Sequence, residues 1–144
     1  MLLLHKAAGL FGGGKWNAPG GKVEKGENPL SAASREVEEE TGIVATNLSP
    51  AGELHFYLGD ERVPDMHVHL FRSFEFRGSP RPSREGIPEW FSVDSLPYAH
   101  MWEDDAIWVP HLLSGRRVRG SFYFEQNYGR LLSYELLLGP AGSN

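Results

Sequence analysis

The 144-residue sequence predicts a single α+β domain, residues 1–144, in which a mixed β-sheet carries helices on its faces. A helix pattern is clear at residues 29–41, and most of the chain after Gly42 alternates between apolar and polar residues with a period of two. The predicted order is strand, loop, helix, several strands, helix and hairpin. This order is typical of an α+β domain with a mixed sheet.

The first elements are a short strand, a glycine-rich loop and a helix. Residues 2–5 form a strand or its remnant, and GLFGGGKWNAPGGK at 9–22 is loop because of its glycines and proline. The helix runs from Pro29 to Thr41, with Asn28 as its N-cap and Gly42 directly after its end. An apolar stripe of this helix is expected to pack on the core: Leu30, Ala33, Val37 and Thr41.

Extended segments dominate the rest of the chain. ELHFYLG at 53–59 and MHVHLFRSFEF at 66–76 are predicted to form an antiparallel pair. His67 and His69 share one face of the second strand, where a metal-binding pair competes with the commoner explanation, simple alternation on a sheet surface. The remaining predicted elements are a strand at 88–93, a helix at 104–115 that contains Pro110, and a hairpin at 120–138 that turns at Asn127–Gly129.

Composition excludes several classes of protein. The net charge of −5 and the lack of a basic stripe argue against a partner that is a nucleic acid polymer. The chain has no cysteine, which excludes disulfides and thiolate chemistry, and its apolar runs are too short to span a membrane. The expectation is a soluble, cytoplasmic protein with no membrane partner, which can still bind a small polyanion through a metal ion.

Carboxylates are concentrated at the C-terminal end of the predicted helix. Glu36, Glu39 and Glu40 lie within about a 100° arc, whereas Glu38 points away, and Arg35 can pair with Glu39. Acidic side chains are disfavoured at a helix C-terminus because the helix dipole is negative there. A hard divalent cation such as Mg²⁺ would offset both the mutual repulsion and the dipole. The alternative is a solvated acidic surface.

The surroundings of this cluster form a recognisable motif. Gly21 is followed at fixed spacings by Glu27 and by REVEEETGI at 35–43. At average residue frequencies such a match arises by chance on the order of once in 10⁸ chains, so the signal is strong. The pattern resembles the box of the Nudix hydrolase family. The resemblance implies an α/β/α sandwich with a mixed sheet and hydrolysis of a nucleoside diphosphate linked to another group.

The same resemblance implies roles for the residues of the box. In that family the metal is Mg²⁺, with Mn²⁺ as an alternative, and the general base varies between members. Glu39, Glu40 and Glu85, which falls in a mobile loop, are the candidates for the base here, whereas Glu27 and Arg35 brace the loop and the helix. The implied metal ligands are the Gly20 carbonyl and the carboxylates of Glu36, Glu39, Glu40 and Glu85.

Similarity to one branch of the family extends over residues 2–138. GKWNAPGGKVEKGE, PEWFSVDSLPYAHMWEDDAIWVP and GSFYFEQNYGRLLSYEL resemble segments of the MutT-type enzymes that hydrolyse oxidised purine nucleoside triphosphates. The resemblance places the following residues in substrate binding: Phe11, Asn17, Gly21, Lys22, Met66, Trp102, Asp104 and Asp105.

The chemistry of these residues fits a purine. Trp102 offers an aromatic face for stacking, and Asn17 can both donate and accept hydrogen bonds. Asp104 and Asp105 cannot easily both ionise in a closed site, so the pKa of one should rise, and the protonated acid would donate to the base edge. The alternative for this pair is capping of the helix that follows.

The expected reaction is Mg²⁺-dependent cleavage of 8-oxo-dGTP or 2-oxo-dATP to the monophosphate and pyrophosphate, which would clear damaged nucleotides from the pool. The alternatives are another Nudix substrate, such as a dinucleoside polyphosphate or ADP-ribose, and a binding module without turnover. The partner is a small nucleotide, and the protein is a monomer or homodimer. Two departures from the branch are a shortened N-terminal strand and the replacement of basic residues at 7–9, which leaves Lys6 and Lys15 nearby.

Overall fold

The computed structural model describes residues 1–140, and these residues form two compact units. The first unit comprises Met1–Leu48 and Arg72–Trp102, and the second comprises Ser49–Phe71 and the chain from Glu103 onward. Nine strands and two α-helices are present among the described residues. In that part of the chain, no helix is long and apolar enough to cross a membrane.

The first unit holds two small sheets and one helix. Its strands are β1 (Leu2–Lys6), β2 (Trp16–Asn17), β3 (Val44–Thr46), β6 (Glu75–Arg77) and β7 (Gly86–Trp90), and its helix is α1 (Pro29–Thr41). β1 lies between β2 and β7 and pairs antiparallel with both, and β3 pairs antiparallel with β6. Leu3 and Leu4 of β1 are fully buried, so this strand supplies much of the unit's core.

Local chemistry sets the bounds of α1 as the sequence predicts. The Asn28 side chain accepts a hydrogen bond from the Ser31 amide at 2.8 Å, and Pro29 occupies the first turn. Gly42 adopts the left-handed conformation at φ 80°, and its amide donates to the Glu38 carbonyl at 2.9 Å. A side chain at this position would also meet Arg81 at 2.7 Å, so glycine is required twice over.

The predicted buried stripe of α1 is partly wrong. Leu30 is exposed, Ala33 and Val37 are half-buried, and Thr41 is fully buried. Ala32 and Glu40, which the stripe did not include, are buried. Leu30 lies in the first turn, where the sequence period cannot show whether another element covers it, and the helix is buried at Ala32, Glu40 and Thr41 instead.

The second unit contains one mixed four-stranded sheet and one helix. Its elements are β4 (Ser49–Leu58), β5 (Met66–Arg72), α2 (Asp105–Leu113), β8 (Val118–Phe124) and β9 (Leu131–Leu138). The strand order is β5-β4-β8-β9, with β4 parallel to β8 and β8 antiparallel to β9. The buried side chains of this sheet and of α2 form the core: Ala51, Leu54, Phe56, Trp108, Val109, Leu112, Val118, Phe122 and Phe124.

Most predicted elements are confirmed, and three boundaries are corrected. The segment 66–76 is not one strand, because β5 ends at Arg72 and Glu75–Arg77 pairs with β3 instead of β4. The loop at 9–22 includes the two-residue strand β2, which is held by β1. The strand predicted at 88–93 is β7, which begins at Gly86 and ends at Trp90.

Candidate active site

Carboxylates from α1 and from the segment before β7 line one open cavity of about 300 Å³ in the first unit. The helix period predicts that Glu36, Glu39 and Glu40 lie on one side of α1 and that Glu38 points into solvent. Glu38 is exposed, as predicted. The lining side chains are Glu36, Glu39, Glu40, Ser83, Arg84 and Glu85. Glu85 therefore lies with the helix glutamates, although more than forty residues separate them in the sequence.

Glu40 is the most buried of these carboxylates, with only 3% of its surface exposed. Its Oε1 accepts a hydrogen bond from the Gly20 amide at 2.7 Å, and its Oε2 lies 3.9 Å from Lys6 Nζ. Burial raises the pKa of Glu40 to about 7, the Gly20 hydrogen bond and Lys6 oppose that rise, and the charges of Glu36 and Glu85 add to it. The ionised form of Glu40 is therefore disfavoured at this position.

Lys6, at the end of β1, provides a positive charge inside the carboxylate cluster. Its Nζ donates to Glu85 Oε2 at 2.9 Å, and the same ammonium lies 3.9 Å from Glu40. Lys6 is one of the basic residues that remain near positions 7–9, where the basic residues of the MutT-type branch are replaced. Nothing in the sequence predicts that Lys6 pairs with Glu85.

Arg35 joins the loop before α1 to the carboxylates on the helix. Its guanidinium donates to both carboxylate oxygens of Glu27 at 2.7 and 2.9 Å, and to the Lys22 carbonyl at 3.1 Å. It also donates to Glu36 at 2.7 Å and to Glu39 at 3.1 Å. The hydrogen bonds from Arg35 are the main cause that lowers the pKa of Glu27 to about 2. The predicted bracing role of Glu27 and Arg35 is confirmed by these contacts.

The segment before β7 is tied to the C-terminal end of α1. The Arg81 amide donates to the Thr41 carbonyl at 2.8 Å, and Ser83 Oγ donates to the Glu40 carbonyl at 2.8 Å. Ser83 Oγ also accepts from the Glu85 amide at 3.2 Å. These bonds satisfy helix-end carbonyls and fix the backbone next to Glu85. Sequence reasoning missed Ser83 and Arg84, because no motif or spacing connected them with the helix.

The glycines before α1 allow the loop to approach the helix closely. A side chain at Gly21 would come within 2.5 Å of the Glu36 carboxylate. Gly20 contacts Glu40 through its amide, while the predicted role of its carbonyl as a metal ligand is not tested by this geometry. Lys22 is exposed and contributes its backbone carbonyl to Arg35.

An aromatic and amide cluster also lies in the first unit. The rings of Phe11 and Trp102 stack at 5.1 Å, and Trp102 Nε1 donates to Asn17 Oδ1 at 2.8 Å. Asn17 Nδ2 donates in turn to the Lys15 carbonyl at 3.0 Å, and Lys15 Nζ lies 5.3 Å from the centre of the Trp102 ring. Three predicted substrate residues are therefore in mutual contact: Phe11, Asn17 and Trp102.

Of the other predicted substrate residues, Gly21 and Lys22 lie in the first unit, whereas Met66, Asp104 and Asp105 belong to the second. Asp104 is buried, and its Oδ2 accepts from Trp108 Nε1 at 2.8 Å. Burial raises the pKa of Asp104 to about 6, as expected for one acid of the pair. Asp104 occupies the N-cap position of α2, as the capping alternative expects, although its side chain makes no capping hydrogen bond. Asp105 is buried in the first turn, and Met66 begins β5 half-buried.

The chemistry of the cavity suits a hard divalent cation. All four candidate ligand side chains are carboxylates, the oxygen donors that Mg²⁺ prefers. Lys6, Arg35 and the lining residue Arg84 supply three positive charges, which balance only part of the charge of the four carboxylates and of Glu27, the other partner of Arg35. A cation bound there would reduce the electrostatic cost that burial imposes on Glu40.

Comparisons with known proteins agree with the motif and the fold. The family described as NUDIX domain matches residues 1–112. Oxidized purine nucleoside triphosphate hydrolase of Danio rerio is 41% identical over 116 residues, 80% of this chain and 73% of the relative. The enzyme of the same name from Mus musculus is 39% identical over 127 residues, 88% of this chain and 80% of the relative.

A solved structure shares the fold as well. The crystal structure of a MutT protein from Bacillus halodurans has a TM-score of 0.79 and 34% sequence identity, with 94% of this chain and 88% of that chain covered. The match of most of the chain to the family, the complete box from Gly21 to Ile43 and the shared fold lead to one conclusion: this chain belongs to the NUDIX family of hydrolases.

Proposed function

We propose that this protein hydrolyses oxidised purine nucleoside triphosphates to the monophosphate and pyrophosphate in a Mg²⁺-dependent reaction. The observation that carries the proposal is the convergence of Glu36, Glu39, Glu40 and Glu85 on one cavity. Relatives named for the hydrolysis of oxidised purine nucleoside triphosphates match most of the chain and support the choice of substrate.

The carboxylates of this cavity and the Gly20 carbonyl would hold Mg²⁺. When bound, the ion supplies charge neutralisation for the phosphates and lowers the pKa of coordinated water. The chain's own residues do the positioning: Arg35 holds Glu36 and Glu39, and Ser83 fixes the backbone beside Glu85. Glu39, Glu40 and Glu85 are the candidates for removing the proton of the attacking water.

Base recognition is proposed for the cluster of Phe11, Asn17 and Trp102. The indole of Trp102 offers area for stacking on a purine, and its bond to Asn17 fixes the orientation of both side chains. The stacked Phe11 extends this aromatic surface, and 58% of its own surface is exposed.

For Asp104 and Asp105 the proposal rests on the family resemblance and on the chemistry of Asp104 in its own unit. A raised pKa keeps a share of Asp104 protonated near neutral pH, so this acid can donate as well as accept a hydrogen bond. Such a group suits purine edges that differ in their pattern of donors and acceptors.

A substrate panel tests the proposed activity. The values of kcat/KM for 8-oxo-dGTP, 2-oxo-dATP, dGTP and ADP-ribose would be measured with Mg²⁺ and with EDTA. We expect the oxidised purines to be preferred and the activity to vanish in EDTA. Equal values for dGTP and 8-oxo-dGTP would contradict the sanitising role. Preference for ADP-ribose or a dinucleoside polyphosphate would identify another Nudix substrate, and tight binding without turnover would identify a binding module.

The Asp104→Asn variant tests base recognition separately. We expect kcat/KM to fall about 5- to 150-fold more for the oxidised purines than for generic triphosphates, because a lost hydrogen bond to the base costs about 1–3 kcal/mol. An equal loss on every nucleotide would indicate a structural role for Asp104. The cytoplasmic location and the oligomeric state stay predictions.

A further inference from the structure

Two histidines and a glutamate converge on the face of the second unit's sheet that lies away from its core. His67 Nε2 lies 3.6 Å from Glu53 Oε2, and His69 Nδ1 lies 3.9 Å from Glu53 Oε1. One ligand atom of each side chain lies within 4.8 Å of the other two. His67 is exposed and the others are half-buried, so an ion from solvent can reach the group.

Strand geometry brings these side chains together. Successive residues of a strand point to opposite faces, so His67 and His69 on β5 share one face. β4 is the neighbour of β5 in the sheet, and its Leu54 and Phe56 are buried. Glu53 therefore points away from the core, toward the histidines. The strands hold the backbones rigidly, and only the side chains need to move to close around an ion.

We propose that Glu53, His67 and His69 bind a borderline transition-metal ion of the Zn²⁺ class, with water completing the coordination. Two imidazole nitrogens and one carboxylate oxygen form a donor set typical of Zn²⁺ with an open position. Mg²⁺ prefers sites with only oxygen donors, so this site differs in selectivity from the carboxylate cavity. None of these residues belongs to the proposed active site, and the inference does not depend on the proposed function.

His55 supports the geometry of this site. Its ring stacks on the ring of His67 at 4.3 Å and 14°, which limits rotation of the His67 ring and excludes His55 as an edge-on ligand to the same ion. The ring of His69 lies 4.4 Å from that of His67.

Equilibrium dialysis against Zn²⁺ tests the proposal in the presence of excess Mg²⁺, which keeps the carboxylate cavity occupied. We expect the full chain to bind one Zn²⁺ that is lost in the double variant His67→Gln/His69→Gln. Glu53→Gln should weaken Zn²⁺ binding on the order of tenfold or more, because substitutions around a bound metal ion typically lower its affinity by at least this factor. His100→Gln, which removes an exposed histidine in the first unit, is the matched control and should bind like the unmodified chain.

Electron paramagnetic resonance with Cu²⁺ gives an independent readout. We expect nitrogen hyperfine structure from two imidazoles in the full chain and in His100→Gln, and its loss in the double variant. Two results would overturn the proposal. One is Zn²⁺ binding that is unchanged in both the double variant and Glu53→Gln, and the other is the absence of Zn²⁺ binding by the full chain. Circular dichroism of each variant shows whether it is folded. If the double variant does not fold, Glu53→Gln alone decides, since glutamine retains the size of the side chain.

Discussion

The surroundings of Glu40 include groups that favour its ionised form and groups that disfavour it. It is almost completely buried, its neighbours include two further acids, and its direct partners are the Gly20 amide and the Lys6 ammonium. A carboxylate in this position destabilises the protein unless a cation is bound, because burial and like charges disfavour its ionised form. In the proposed function, this loss of stability without metal is the cost of a carboxylate arrangement that can bind Mg²⁺.

Replacing this charge gives a prediction with a definite sign. The pKa of Glu40 is raised from 4.5 to about 7, so its ionisation reduces the stability of the fold as the pH rises through that interval. In EDTA above pH 7, Glu40→Gln should therefore raise the free energy of unfolding by about 1–3 kcal/mol. Hydrolysis in Mg²⁺ should fall by at least about 10²-fold. Urea denaturation and a phosphate-release assay measure the two effects.

Glu38→Gln is the matched control for that variant. Glu38 is exposed and lies two residues away on α1, so the substitution should change neither quantity. If Glu40→Gln retained activity in Mg²⁺, Glu40 would not be a metal ligand or a base.

At the scale of the element, side-chain hydrogen bonds hold α1 and the loop before it together. Arg35 makes the central contacts of this arrangement, because its single guanidinium joins Glu27 in the loop to Glu36 and Glu39 on the helix. Asn28 and Gly42 determine where the helix begins and ends, and Ser83 and Arg81 attach the next segment to its C-terminal carbonyls. These contacts hold the helix so that Glu36, Glu39 and Glu40 line the same cavity.

The Glu27–Arg35 pair gives α1 a measurable pH dependence. The pKa of Glu27 is lowered from 4.5 to about 2, so the pair stabilises the fold above pH 4.5 and loses its contribution as the pH falls toward 2. We expect Glu27→Gln to lower the urea midpoint at neutral pH, with the difference from the unmodified chain shrinking as the pH falls from 4.5 toward 2.

Glu24→Gln is the control for this measurement. Glu24 lies 3.9 Å from Arg35 and is mostly exposed, so its loss should have little effect at any pH. A difference for Glu27→Gln that stays constant across the pH range would show that its cause is not the charge of Glu27.

For the whole molecule, the two units carry different chemistry. The carboxylate cavity and the cluster of Phe11, Asn17 and Trp102 lie in the first unit, whereas the second holds buried Asp104 and the proposed Glu53, His67 and His69 site. Ligands that bind only the folded chain stabilise it by mass action, so occupancy of the carboxylate cavity can be measured as a shift in global unfolding.

Mg²⁺ with a non-hydrolysable triphosphate should therefore raise the Tm. At a hundredfold excess over Kd the gain is about 2.7 kcal/mol. For a chain of this size, this corresponds to a rise on the order of 5–10 °C. Calorimetry should show the shift for the unmodified chain and for Glu38→Gln but not for Glu36→Gln. An equal shift in all three proteins would place the ligand outside the carboxylate cavity.

The sequence by itself determined the family, the bounds of α1 and the three helix glutamates that line the cavity. These features follow from local rules: a capping residue, a terminal glycine and a spacing that places side chains on one face of a helix. Similarity to the MutT-type branch added the expectation for Glu85, which lies outside the box. The chemistry of two adjacent acids predicted a raised pKa for one of them, and the pKa of Asp104 is raised, mainly by burial.

Only the tertiary structure decided which distant residues meet. Lys6 and Glu85 are 79 positions apart, and Ser83 contacts a helix carbonyl 43 positions away. The exposure of Leu30 and the pairing of Glu75–Arg77 with β3 likewise depend on which surfaces pack together. Local propensity cannot fix such contacts, because their free energy arises from burial and pairing between segments that become neighbours only in the folded chain.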